Sequence, residues 1–85
     1  MVPNREAAMG NIQAAIARRG DQFFLLDLQR TAEGYKATFA QGQVTTVRTI
    51  DEGTAEDRAP ADQPATRALA AILDDVRVEF TGRRR

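Results

Sequence analysis

The chain carries few groups able to do chemistry. It contains no His, no Cys and no Ser. That excludes imidazole acid–base work, thiol nucleophiles, disulfides and the usual zinc ligand sets. Carboxylates and guanidinium groups remain. Asp27 is the most notable acid, because residues 23–28 are otherwise Phe and Leu. Strand alternation puts Asp27 on the side of Phe23 and Leu25, opposite Phe24, Leu26 and Leu28. An ionised carboxylate buried there would titrate high and could act as a general acid or base. The commoner arrangement is a wet strand end or a cross-strand partner such as Lys36 or an Arg, and we adopt it.

Five other acids gather between residues 51 and 62: Asp51, Glu52, Glu56, Asp57 and Asp62. Oxygen ligands suit calcium or magnesium, but these five do not follow the alternate-residue spacing of a calcium loop. Asp74 and Asp75 are helix neighbours about 100° apart, which makes a poor ligand pair. Both groups read as solvated acids. The nucleophiles are threonines, one Tyr and one Lys, and no motif sets a base beside any of them. Gly34, Gly42 and Gly53 stand alone as turn residues, with no phosphate-cradling loop. No catalytic residue, cofactor or metal site is assigned, and the expectation is a protein that is not an enzyme.

The cations give one further signal. Eleven of the twelve are Arg, and five cluster as Arg18-Arg19 and Arg83-Arg84-Arg85. Converging on a phosphate backbone, they would bind nucleic acid in a salt-dependent way. A pI near 6.2 and only five aromatic residues argue for the plainer reading, a helix end and a solubilising tail. Nucleic-acid contact by these five Arg is the alternative assignment.

Eighty-five residues make one small domain, read as residues 1–82 with a basic tail at 83–85. The net charge is zero, but residues 1–50 carry +2, residues 51–82 carry −5, and the last three restore +3. Fifteen of the 36 hydrophobic residues are Ala, so the core is thin and association is one remedy. The opening residues lack a basic start followed by an apolar stretch, so no signal peptide is expected. No run approaches the ~20 apolar residues of a bilayer span. The expected setting is cytoplasmic, with no membrane contact.

These side chains are positioned by an expected order of α-β-β-β-α-β. Asn4 can cap a first helix whose Met9, Ile12 and Ile16 repeat at helical spacing, with Gly20 after its end. Residues 23–28, 35–40 and 44–50 read as strands separated by turns at 31–34 and 41–42. In the third, Val47 falls opposite Val44 and Ile50, and a bulge would reconcile them. Residues 51–63 read as a loop. Pro64 then opens a helix through Leu69, Ile72 and Leu73 that stops near Asp74 and Asp75, where acids oppose the dipole. Val76, Val78 and Phe80 alternate as a fourth strand.

The first five elements are similar in order to a double-stranded-RNA-binding domain. Such domains use a Gly-Pro-x-His-type loop and a Lys-rich start to the second helix. Here the helix start reads Asp62-Gln63-Pro64-Ala65-Thr66-Arg67, so the similarity stops at element order and no RNA-binding role is carried over.

The expected fold is therefore α+β: a small three- to four-stranded antiparallel sheet with two helices on one face. Phe24, Leu26, Leu28, Tyr35 and Phe39 are the expected sheet side of the core. Phe23 and Leu25 are then left on the uncovered face as a self-association patch. The expected function is a small non-enzymatic interaction or regulatory module that forms a homo-oligomer, with an unidentified protein partner and with weak nucleic-acid binding as the alternative.

Overall fold

In a computed structural model, the structure describes residues 4–56 and 64–83. The order is α1 (Asn4–Arg19), β1 (Phe24–Thr31), β2 (Gly34–Gln41), β3 (Val44–Asp51), α2 (Glu52–Ala55) and α3 (Pro64–Arg83). The three strands form one antiparallel sheet in the order β1-β2-β3. The helices lie on one side of it. This is the expected α+β domain, with three helices in place of two. No helix among the described residues is long and apolar enough to cross a membrane.

In α1 the buried residues Ala8, Ile12, Ala15 and Ile16 repeat as one face of a 3.6-residue helix. The helix ends as its Gly suggests. Gly20 takes φ +69°, its amide donates to the Ala17 carbonyl, and the Asp21 amide donates to Ile16. This paired arrangement satisfies two of the helix's last carbonyls.

The sheet keeps Tyr35, Ala37 and Phe39 buried, as the alternation of β2 requires. The two-residue β2–β3 turn has Gly42 at φ +63°, which suits a type II′ hairpin. β3 pairs with β2 residue for residue, so it contains no bulge. Ile50 is buried and Val44 is packed against the core, while Val47 simply faces outward. The first part of the expected 51–63 loop is instead the last residue of β3 and the single turn of α2. Residues 57–63, including Asp57, Asp62 and the helix cap expected near them, lie outside the described residues.

Two expectations are corrected. Residues 76–81 are not a strand, because α3 continues through them to Arg83. Leu69, Leu73, Val76 and Phe80 are all buried at i, i+4, i+7 and i+11, one continuous helical stripe. Val78, which a strand would have placed with Val76 and Phe80, is 68% exposed. Asp74 and Asp75 therefore lie mid-helix, away from the negative end that was expected to stop it.

The second correction concerns β1. Phe23 and Leu25 are buried, whereas Phe24 and Leu26 are exposed. The register slips between Leu25 and Asp27, so one extra residue changes which side chains face inward. Phe23 then meets Phe39 edge-on at 5.6 Å and Phe80 at 5.6 Å. Each such fully buried side chain contributes roughly 1.5–3 kcal/mol.

Gly34 is required twice over at the β1–β2 turn. Its φ is +142°, and a Cβ there would stand 2.5 Å from the Ile50 carbonyl oxygen. At Gly42 a Cβ would meet nothing within 4 Å. We expect Gly34→Ala to lower unfolding stability by about 1–3 kcal/mol or more, and Gly42→Asn, which tolerates positive φ, to cost under ~1 kcal/mol. Urea denaturation followed by circular dichroism measures both.

Candidate interaction surface

The bulge in β1 builds the surface. Leu25 stands opposite Phe39 and Asp27 opposite Thr38, so Leu26 has no partner residue. Leu25 and Leu28 consequently both point toward the helices. Cross-strand rows on the other side run Phe24–Ala40–Thr45, Asp27–Thr38–Val47 and Gln29–Lys36–Thr49. On this open face Phe24 is 52% exposed and Val47 44%, and Leu26 at the bulge is 55% exposed. Its charged members include Asp27, Lys36 and, at the end of β3, Asp51. The Asp27 side chain is half exposed beside Arg5 at 3.8 Å; it is not a carboxylate buried among apolar side chains.

On the opposite face one polar group lies where α3 crosses β3. There Arg48 donates to Asp75 at 3.0 Å and also to Glu79. Thr46 donates to Glu79 at 2.7 Å. The Glu79 hydrogen bond holds the Arg48 guanidinium above its ordinary pKa, against an opposing effect of burial. A second tie joins the loop after α1 to α3. The Asp21 carboxylate, with no exposed side-chain surface, is held by Arg19 at 2.8 Å and by Arg77. Arg19 also bonds Asp74 at 2.5 Å. A cleft of about 270 Å³ beside this tie is lined by residues including Gln22, Gln41, Thr81, Asp21 and Arg77. Its two charged side chains are paired with each other.

The third polar group closes the end of the sheet. The Tyr35 hydroxyl donates to Glu56 at 2.5 Å, and Arg30 lies over the Tyr35 ring at 5.3 Å while bonding Glu52 at 2.9 Å. Asn11 donates to the Ala55 carbonyl at 3.0 Å. Together these pin the short α2 between α1 and the sheet. Burial, then the hydrogen bond to Glu56, pushes the Tyr35 phenol above its usual range.

The residues singled out from sequence are therefore scattered. Phe23 and Leu25 are inside, under the chain's own helices. Arg18 is exposed, but Arg19 is committed to Asp21 and Asp74. The side chains of Arg83, Arg84 and Arg85 lie outside the described residues. Glu52 and Glu56 converge on Arg30, and no group of three or more acids able to hold a metal occurs among the described residues. Of the exposed trio, Phe24 and Leu26 were expected in the core, whereas Val47 was expected opposite Val44 and Ile50. Asp27 carried the signal, because strict alternation buries either a carboxylate or Phe24 and Leu26, both of which are exposed. A bulge resolves that conflict.

No family model, curated protein or solved structure matches this chain.

The raised Tyr35 pKa sets a pH dependence. The phenol is neutral in both states below its unfolded pKa of about 10. Its contribution to stability is fully present there and is lost as pH rises through the higher folded value. We expect the urea midpoint to fall above pH ~10 in the parent and Tyr35→Phe to flatten that fall, as followed by circular dichroism.

Proposed function

We propose that the domain is a non-enzymatic interaction module whose partner is a second copy of itself, docked through the open sheet face. The reading rests on the grouping of Phe24, Leu26 and Val47, each close to half exposed or more, on the side that the described helices leave uncovered. Covering such side chains at ~25 cal/mol per Å² is worth several kcal/mol per copy, enough to offset an association cost of about 4 kcal/mol or more.

The charge pattern favours self-pairing over a charged partner. Asp27 and Lys36 carry opposite charges in the middle of the face, so a two-fold pairing can set each against its opposite. The rest of the face is Thr, Gln and Ala. Arg19, Arg30, Arg48 and Arg77 are engaged by acids, which leaves little basic surface among the described residues to recruit a phosphate backbone.

Sedimentation at about 100 µM, where mass action favours weak oligomers, is expected to give at least two chains per particle. Phe24→Glu combined with Leu26→Glu is expected to weaken open-face association at least tenfold without loss of secondary structure. A parent that stays monomeric overturns the proposal. So does submicromolar DNA or RNA binding at about 150 mM salt, which would support the Arg-based alternative.

A further inference from the structure

Two opposite charges in the middle of the open face are free to take a partner from outside the chain. Lys36, the only Lys, is exposed and pairs with no acid among the described residues. The other cations of the strands, Arg30 and Arg48, are held by acids on the helix side. The Asp27 carboxylate is half exposed, and its neighbour Arg5 stands at 3.8 Å, too far for a hydrogen bond. Asp27 lies opposite Thr38, two residues along β2 from Lys36. The two are therefore diagonal neighbours on one face.

We infer that this diagonal fixes how two copies dock: Asp27 of each copy meets Lys36 of the other, and the two sheets cross at a steep angle. The inference rests on the reading of the open face as self-associating and adds the geometry. The two residues are separated by ~4.8 Å across the strands and by ~6.7 Å along them. A two-fold axis between stacked sheets exchanges them only if it bisects that diagonal, which sets the strands of the two copies at roughly 70°. That is nearer the orthogonal class of sheet packing, at ~90°, than the aligned class at ~30°. An axis along β2 would instead set Lys36 against its own copy, and an axis along β1 would set Asp27 against its own. Like charges placed face to face oppose association.

The apolar residues fit the same angle. The bisecting axis runs diagonally over Thr38 toward Val47, the next residue in the Asp27–Thr38–Val47 row. Val47 therefore packs on Val47 of the second copy. Phe24 and Leu26 lie to one side of the axis and land over Thr49 and the Lys36 stem, whose methylenes cover apolar surface while the ammonium reaches Asp27. All three exposed apolar residues are then covered, and both charges find opposites. Aligned stacking about an axis between β1 and β2 does neither. It sets Asp27 over Thr38 and Lys36 over Gln29, and carries Val47 past the edge of the second sheet.

Charge exchange between copies tests this. The parent is expected to sediment as two chains at about 100 µM. Alone, Lys36→Glu and Asp27→Lys should each weaken association at least tenfold, because each sets like charges together. Mixed one to one, the two variants should pair with each other, since both contacts of the mixed dimer again join opposite charges. A role for either residue inside its own chain cannot produce that rescue. In the parent, zero-length coupling of carboxylate to amine is expected to give a covalent two-chain product joined from Asp27 to Lys36. Lys36→Arg should abolish that link while keeping the charge. Circular dichroism verifies that each variant is folded, and the coupling in the parent decides the matter if Asp27→Lys is not. Single variants that associate like the parent, a mixture that stays monomeric, or a covalent product linked elsewhere overturns the Asp27–Lys36 docking and leaves the open-face reading standing. A monomeric parent overturns both.

Discussion

The register slip between Leu25 and Asp27 is the constraint on which both faces of the sheet depend. Without it, Phe23, Leu25 and Asp27 would share one side, and a carboxylate would enter the interior without a partner, a cost of several kcal/mol. With it, Phe23, Leu25 and Leu28 are all buried while Asp27 turns outward to Arg5. The Phe23–Phe39–Phe80 contact follows directly, and that contact joins β1 to the last turns of α3. The same slip exposes Phe24 and Leu26. The buried core and the exposed apolar residues are thus two consequences of one extra residue.

Charge holds the helices at the periphery of that core. Among the described residues, α3 is tied on one flank to β3 through Arg48, Asp75 and Glu79, and on the other to the loop after α1 through Arg77 and Asp21. Exposed pairs contribute about 0–1 kcal/mol each, and the Arg48–Glu79 pair is the more buried on the β3 flank. The Asp21 carboxylate differs, because it has no exposed side-chain surface. Two guanidinium partners compensate its desolvation, and it fixes the angle at which the chain leaves α1. These ties also account for acids in the middle of α3, where the dipole argument made them look like a helix end.

Much of the architecture was legible in the sequence. The stripe of α1, its Gly20 stop, the alternation of β2 and the hairpin at Gly42 each follow from local rules that agree with one another. Two features were not legible, for different reasons. Val76, Val78 and Phe80 satisfy a period of two, and only the longer run back to Leu69 shows that the period is 3.6. Periodicity over three residues cannot decide between them. The bulge leaves no composition signal in β1; it is visible only as an Asp where strict alternation should place an apolar residue. The polar ties were illegible because their partners, such as Arg19 and Asp74, are 55 residues apart.

Size explains why the uncovered face persists. A domain of this length buries only a modest share of its chain surface. With 15 Ala among its hydrophobic residues, it has too few large side chains to build a second apolar layer. The described helices are spent on the inner face, where Phe80, Leu73 and Ile12 meet the sheet. The open face is left with Thr, Gln and Ala around three larger apolar residues, Phe24, Leu26 and Val47. Because zero net charge gives little long-range field, shape and apolar area govern such contact more than electrostatic steering. A short chain can thus leave part of its hydrophobic burial to assembly.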